Sequence, residues 1–199
     1  MQTGLHGTIR PGQDGRGRGG VMMRIGYVTS DTPGLVDRVL AEVADRAMAA
    51  GLALAGAIAE PAAASQGCRI VLRVLPAGPV RDVSLGPDAG ATACRLDAGA
   101  LEGLALEVLA GLPDAQALIA NKFGKQEAAG RGLVGAMGMA CERGIPVLLG
   151  VAPEWRPAFL AFVEDQAEAL SADPDLVFGW LATGVAASVP PPPAPPARG

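Results

Sequence analysis

The chain has 199 residues, half of them hydrophobic but only 4% aromatic, so one domain with a core of small aliphatic side chains fits its length. A formal net charge of −4 with scattered basic residues gives no electrostatic basis for nucleic acid as a partner. Three cysteines, an odd number without a Cys-x-x-Cys pair, argue against a disulfide-stapled secreted scaffold.

The first 21 residues are rich in Gly and Arg and lack a periodic apolar face. They predict a disordered extension rather than a signal peptide, with Met22 or Met23 as alternative starts. Arg24–Thr29 is a short apolar run, read as a strand. Thr32 is a candidate helix cap and Pro33 suits the first helical position. Leu35, Val39, Val43 and Ala47 then recur every four residues, beside Val36, Leu40 and Ala44. Asp37, Arg38, Glu42, Asp45 and Arg46 take the solvent face of this amphipathic helix, and Gly51 ends it. Leu52–Ala59 reads as a strand apolar on both faces, as central parallel strands are. The whole apolar stretch Ala47–Ala59 is too short to span a bilayer, so no membrane association is expected and the protein is read as cytoplasmic.

The middle of the chain changes character. Cys68–Leu75 and Val80–Leu85 read as two strands around a Pro76–Pro79 turn, a hairpin rather than another βα unit. A loop over Gly86–Cys94 follows. Asp97 caps a helix with Leu101, Leu104, Ala105, Val108 and Leu109 on its core face. Ala115–Ala120 is a strand, Gln126–Arg143 a glycine-weakened helix ended by Gly144, and Ile145–Val151 the last clear parallel strand. Trp155, Phe159 and Phe162 share a helical face. Asp173 with Pro174 opens a last short helix carrying Phe178 and Trp180. The end of the chain, Ser188–Gly199, is a proline-rich tail, extended and polyproline-like. The expected organisation is therefore an extension over 1–21, an α/β domain over 22–184 and a tail over 185–199. Alternating strands and amphipathic helices imply right-handed crossovers and a mostly parallel sheet flanked by helices.

In such sheets ligands bind outside the carboxyl ends of the strands, which singles out two loops. The first, Thr29-Ser-Asp-Thr-Pro-Gly34, joins a strand to a helix amino terminus, where free N–H groups and the helix dipole favour anions. Ser30 and Thr32 add hydroxyls. The loop lacks the lysine and the glycines of a Gly-x4-Gly-Lys-Ser/Thr phosphate loop, and it carries an acid, Asp31. An ordinary capped turn is the competing reading. The second loop, Asn121-Lys-Phe-Gly-Lys-Gln-Glu127, gathers Asn121, Lys122, Lys125 and Glu127 around Gly124. Its lysines offer compact positive charge to an oxyanion, and Asn121 can orient a water or a metal-bound ligand. Glu127 either accepts a proton or sits at the start of the next helix as a capping acid. Cys68 and Cys94 form a third candidate, a metal or redox pair brought together by the hairpin, against which stands a pair of separate buried thiols. Cys141 reads as packing. The lone histidine, His6, falls in the extension, so no Ser-His-Asp or Cys-His machinery can be built in the domain.

The run Asn121-Lys-Phe-Gly-Lys-Gln-Glu-Ala-Ala-Gly-Arg-Gly-Leu133, the segment Gly90–Leu101 around Cys-Arg-Leu-Asp, and Gly144-Ile-Pro-Val147 followed by Trp155 together resemble the bacterial domain-of-unknown-function family 2478, over roughly Arg24–Leu181. The resemblance implies a P-loop NTPase-like three-layer sandwich, here with a β-hairpin insertion, and an association with molybdenum transport and cofactor genes. The second loop is also similar to the Asp-Glu-Ile-Gly-Lys-Met-Glu motif of the cancer-related nucleoside-triphosphatase family, whose acids serve magnesium and water. Asn121 and Lys122 stand where that family has its two acids, while Gly124, Lys125 and Glu127 match. The expected ligand is therefore a small anion, a nucleotide with magnesium or an oxyanion such as molybdate, held at a degenerate phosphate site. The alternatives are a divergent nucleoside triphosphatase using Glu127 or Asp31, and a Cys68–Cys94 metal protein. Self-association stays open.

Overall fold

A computed structural model describes residues 23–60, 69–85 and 95–188. The predicted N-terminal extension, the Gly86–Cys94 loop, the proline-rich tail from 189 onward, and both Cys68 and Cys94 lie outside the described residues.

The fold is α/β. A seven-stranded sheet runs in the order β4-β3-β2-β7-β8-β1-β9. Strands β1 (Ile25–Val28), β2 (Leu54–Ala59), β7 (Ala117–Phe123), β8 (Val147–Val151) and β9 (Ala167–Leu170) pair in parallel. The predicted hairpin insertion, β3 (Val71–Leu75) and β4 (Val80–Asp82), continues the β2 edge in antiparallel fashion. A separate two-stranded ribbon joins β5 (Ser84–Leu85) to β6 (Arg95–Leu96). β1, β7 and β8 are buried on both faces, which is why they read as continuous apolar runs rather than alternating ones.

Two helical layers cover the sheet. On one face, α1 (Leu35–Ala49) and α6 (Pro174–Ser188) pack Leu40, Val43, Val177 and Leu181 against Val28, Ile119 and Leu148. On the other, α2 (Ala98–Gly111), α4 (Val134–Glu142) and α5 (Arg156–Phe162) cover Tyr27, Leu118 and Leu149. Aromatic residues are few, but four of them cluster: Phe159 meets Tyr27 and Phe123 edge-on at about 5 Å, and Phe162 leans on Phe123.

Local chemistry accounts for most boundaries. The Asp97 side chain accepts the Ala100 N–H and caps α2 as predicted. Gly51, at φ +81°, ends α1: its N–H reaches the Met48 carbonyl and Leu52 N–H reaches Ala47, the paired bonds of a left-handed C-cap. Four expectations need correction. α1 begins at Leu35 behind Gly34 in the left-handed region (φ +70°), so Thr32 and Pro33 belong to the preceding turn and not to the helix start. The predicted helix over 126–143 is two pieces, α3 (Lys125–Ala128) and α4, because Gly130 and Gly132 at φ +75° and +61° break it. A parallel edge strand, β9, follows α5 and was not anticipated; its Ala-Glu-Ala-Leu sequence shows neither an apolar run nor β-branched residues. The last helix is long, fifteen residues, and passes the expected domain boundary at 184 to reach Ser188.

Candidate functional site

The parallel strands deliver their carboxyl ends to one edge of the sheet. α1 leaves β1 on one face, whereas α5 leaves the neighbouring β8 on the other. Such a switch point opens a crevice between adjacent strands. The second predicted loop lies at the same edge of the sheet but one strand away, at the end of β7, and only partly as a loop. β7 runs on through Phe123, with Asn121 paired to Gly150 and Phe123 paired to Val151. Lys122 is thus one residue too many for the ladder, and this bulge turns it outward between two buried neighbours. The Asn121–Lys122 peptide is cis.

A cavity of about 580 Å³ lies at this edge. Its lining includes the polar Arg38, Asn121, Lys122 and Lys125 and the apolar Ile70, Leu72, Leu96, Leu101 and Leu133. A smaller cavity of about 70 Å³ adjoins it, lined by Thr32, Val36 and Pro153 and sharing Gly34, Asp37 and Lys122 with the larger one. Six of the sequence-predicted site residues therefore meet at the large cavity: Gly34, Asn121, Lys122, Gly124, Lys125 and Glu127. Thr32 reaches only the small one. Ser30 and Asp31 line neither: the Ser30 hydroxyl accepts the Thr32 N–H at 3.1 Å, and Asp31 is exposed on the turn.

The charges around the large cavity divide into paired and unpaired groups. Arg69 is tied to Asp82 at 2.7 Å, and Glu60 to Arg73 at 3.3 Å. Asp37 accepts a hydrogen bond from the Asn121 amide nitrogen at 2.8 Å. Arg38, Lys122 and Lys125 are exposed and make no ion pair among the described residues. Three cations without an ion pair in the lining of one cavity favour an anionic occupant.

Glu127 has a different role from the two lysines. It is 5% exposed, and each carboxylate oxygen accepts a backbone N–H: Gly124 at 3.1 Å and Leu133 at 3.3 Å. Burial pushes its carboxyl above the usual range, against the pull of those N–H groups, and nearby Glu102 adds to the upward push. Glu102 in turn accepts the Gly132 N–H at 2.8 Å. Glu127 thus clamps the turn between α3 and α4, which fixes the backbone carrying Lys125. That is the capping role, combined with a place in the cavity wall.

Sequence reading missed two members of the site. Asp37 and Arg38 were assigned to the solvent face of α1, yet both line the large cavity. The available signal was position: both fall in the first turn of the helix that leaves the binding edge. The Cys68–Cys94 pair lies outside the described residues, and among the described residues no group of three His, Cys, Asp or Glu side chains is arranged to hold a metal. No described helix is long and apolar enough to cross a membrane.

The architecture and its edge cavity define a doubly wound α/β domain of P-loop NTPase-like layering with a cation-rimmed cleft at the strand ends. The chain belongs to the DUF2478 family, described as a protein of unknown function, whose model matches residues 25–180. It is also similar to the molybdenum import ATP-binding protein ModC 2 of Bradyrhizobium diazoefficiens, 30% identical over 148 residues. That match takes in 73% of this chain but only 16% of the relative, so the chain spans about a sixth of that protein's length. No solved structure matches the chain.

Proposed function

We propose that this domain binds a small organic anion, of the size and character of a nucleotide, in the cavity at the carboxyl edge of its sheet. The observation that carries the reading is the mixed lining of that cavity: Arg38, Lys122 and Lys125, which make no ion pair among the described residues, share it with the apolar Ile70, Leu72, Leu96, Leu101 and Leu133. A cavity of about 580 Å³ is in the range of roughly 300–1,000 Å³ that accommodates drug-sized ligands. A lone tetrahedral oxyanion would fill little of it and leave the apolar wall without a partner. The lysines and the arginine would hold the phosphate, and the apolar wall would take the base or another apolar body.

A setting in molybdenum metabolism is supported by the likeness to a protein named for molybdenum import and ATP binding. The first loop offers no phosphate-loop lysine, so the site is a degenerate one in this reading, and Lys122 and Lys125 supply charge from the neighbouring strand end instead. Binding, rather than hydrolysis, is favoured because both oxygens of Glu127 are engaged by backbone N–H groups and Asp31 lines neither cavity. Ser30 and Asp31, which line neither cavity, supply no ligand contact in this binding mode.

Calorimetry with nucleoside mono-, di- and triphosphates, with and without magnesium, tests the reading. Binding should weaken steeply with salt and be abolished in the double variant Lys122→Ala, Lys125→Ala. Unchanged affinity in that variant rejects the site, and phosphate release during the titration would favour a nucleoside triphosphatase instead.

A further inference from the structure

Asp37 is out of place in a site that attracts anions. It shares the lining of the large cavity with Arg38, Lys122 and Lys125, and its negative charge opposes any anion that enters. Its hydrogen bonding supplies a reason for its presence. Asp37 Oδ1 accepts the Asn121 amide nitrogen at 2.8 Å, across 84 positions of sequence. A carboxylate only accepts, so it fixes which way that amide faces. Asn121 is 4% exposed, and its Oδ1 has no hydrogen-bond partner. That oxygen is packed away from solvent, 2.8 Å from where a Gly150 Cβ would stand, at a point that Val36 Cγ1 and Leu40 Cδ1 approach to 2.9 and 3.0 Å. A buried amide with an unpaired oxygen is less stabilising than an apolar side chain of similar size, so what Asn121 contributes is the link to Asp37. The link joins the first turn of α1 to the bulged end of β7. The next residue along each element is a cation, Arg38 on α1 and Lys122 on β7. Arg38 Nη1 lies 3.3 Å from the Cβ position of Gly34, and Gly34 and Lys122 together line both the small cavity and the large one.

We propose that Asp37 and Asn121 are positioning residues of the anion site: their hydrogen bond holds the backbone segments that carry Arg38 and Lys122 together before an anion arrives. The inference rests on the anion-binding reading above and gives two of its cations a common support. Like charges on separate elements repel each other, and an empty site without a tie lets the two segments drift apart. Binding then has to gather them again, an ordering cost that a preorganised site avoids. The hydrogen bond opposes that drift from the neighbouring position on each element. Asp37 thus has two opposed effects on an anion, repulsion through its charge and organisation through its accepting oxygen, and substitution can separate them.

Asp37→Asn removes the charge but keeps an acceptor for the Asn121 amide, whereas Asp37→Ala removes both. Calorimetry with ADP in magnesium-free buffer compares them, with thermal unfolding to establish that each variant is folded. Asp37→Asn should bind ADP as tightly as the parent or more tightly. Asp37→Ala should bind at least about fivefold more weakly than Asp37→Asn, although the two variants carry the same net charge. Asp37→Ser, whose hydroxyl is too short to reach the amide, should behave as Asp37→Ala and takes its place if that variant does not fold. In an Arg38→Ala background the gap between the two variants should shrink, because one of the cations being held is gone; an effect of Asp37 on the fold alone would leave the gap as it was. Equal ADP affinity in Asp37→Asn and Asp37→Ala overturns the inference while leaving anion binding standing. So does a gap untouched by Arg38→Ala, or an Asp37→Asn variant that binds more weakly than the parent. If the parent binds another nucleotide but not ADP, the same comparison is made with that nucleotide. A parent that binds no nucleotide overturns both the inference and the anion-binding reading.

Discussion

Gly132 is where the clamp on the lysine-bearing turn is most exposed to a single substitution. Its backbone lies at φ +61°, and a Cβ built there would stand 2.3 Å from Glu127 Oε1 and 3.1 Å from Leu101 Cδ2. Gly132→Ala therefore carries two costs. The left-handed backbone alone is unfavourable for alanine by about 1–2 kcal/mol. The methyl group also drives the Glu127 carboxylate off the Leu133 N–H it accepts at 3.3 Å, and losing a buried bond to a charged group costs about 1.5–3 kcal/mol. The sum is roughly 2.5–5 kcal/mol, a large fraction of the stability of an ordinary domain.

Gly130 provides the control. It has φ +75° in the same turn, but nothing stands within 4 Å of its Cβ position. Gly130→Ala should cost only the backbone part, about 1–2 kcal/mol. The shift in urea midpoint at constant m-value measures both. The difference of about 2 kcal/mol between the variants is the part assigned to Glu127, and in a Glu127→Ala background it should disappear, as a double-mutant cycle requires. If Gly132→Ala and Gly130→Ala destabilise equally, the carboxylate clamp is not what holds this turn.

Two further outcomes follow from buried groups. Glu127 has its carboxyl raised above the ordinary glutamate value of 4.5, chiefly by burial. Raising an acid's pKa on folding means that the folded chain binds the proton more tightly. This contribution to stability is thus fully present below the unfolded pKa and is lost as pH rises through the folded one. The stability of the parent relative to Glu127→Gln should accordingly decline as pH increases from about 4.5, and a rising or flat difference in pH-dependent denaturation would contradict the burial argument. Burial pushes the Cys141 thiol up to about 11, so little thiolate exists near neutrality. Alkylation of the folded protein at Cys141 should therefore be slow and accelerate on unfolding, which mass spectrometry of labelled peptides resolves; fast labelling in the folded state would refute it.

The elements that sequence reading placed well are those whose signal is local. Leu35, Val39, Val43 and Ala47 define α1 by spacing alone, Asp97 announces α2 by its capping chemistry, and Gly51 marks a helix end by its conformational freedom. The failures share a different cause. β9 is a strand because β1 offers it a parallel edge, Ile25 to Ala167 through Val28 to Leu170, and nothing in Ala-Glu-Ala-Leu announces that neighbour. The break between α3 and α4 comes from two glycines whose left-handed backbone is needed to let Glu127 reach the Leu133 N–H. A glycine inside a helical pattern does not reveal that need.

The candidate site shows the same division. Asn121, Lys122 and Lys125 stood out because polar residues at the end of a buried strand need a reason to be there. Asp37 and Arg38 were hidden because a charged residue on an amphipathic helix already has one, solvation. Helical periodicity separates the core face from the rest but does not distinguish open solvent from a cavity at the helix start. That distinction depends on which strand end faces the first turn of α1, and here β7 supplies it across 84 positions of sequence, through the hydrogen bond from Asn121 to Asp37. The acid on α1 and the amide on β7 are each unremarkable alone. Their pairing ties the first turn of α1 to the end of β7 at the cavity wall, a relation visible only after folding.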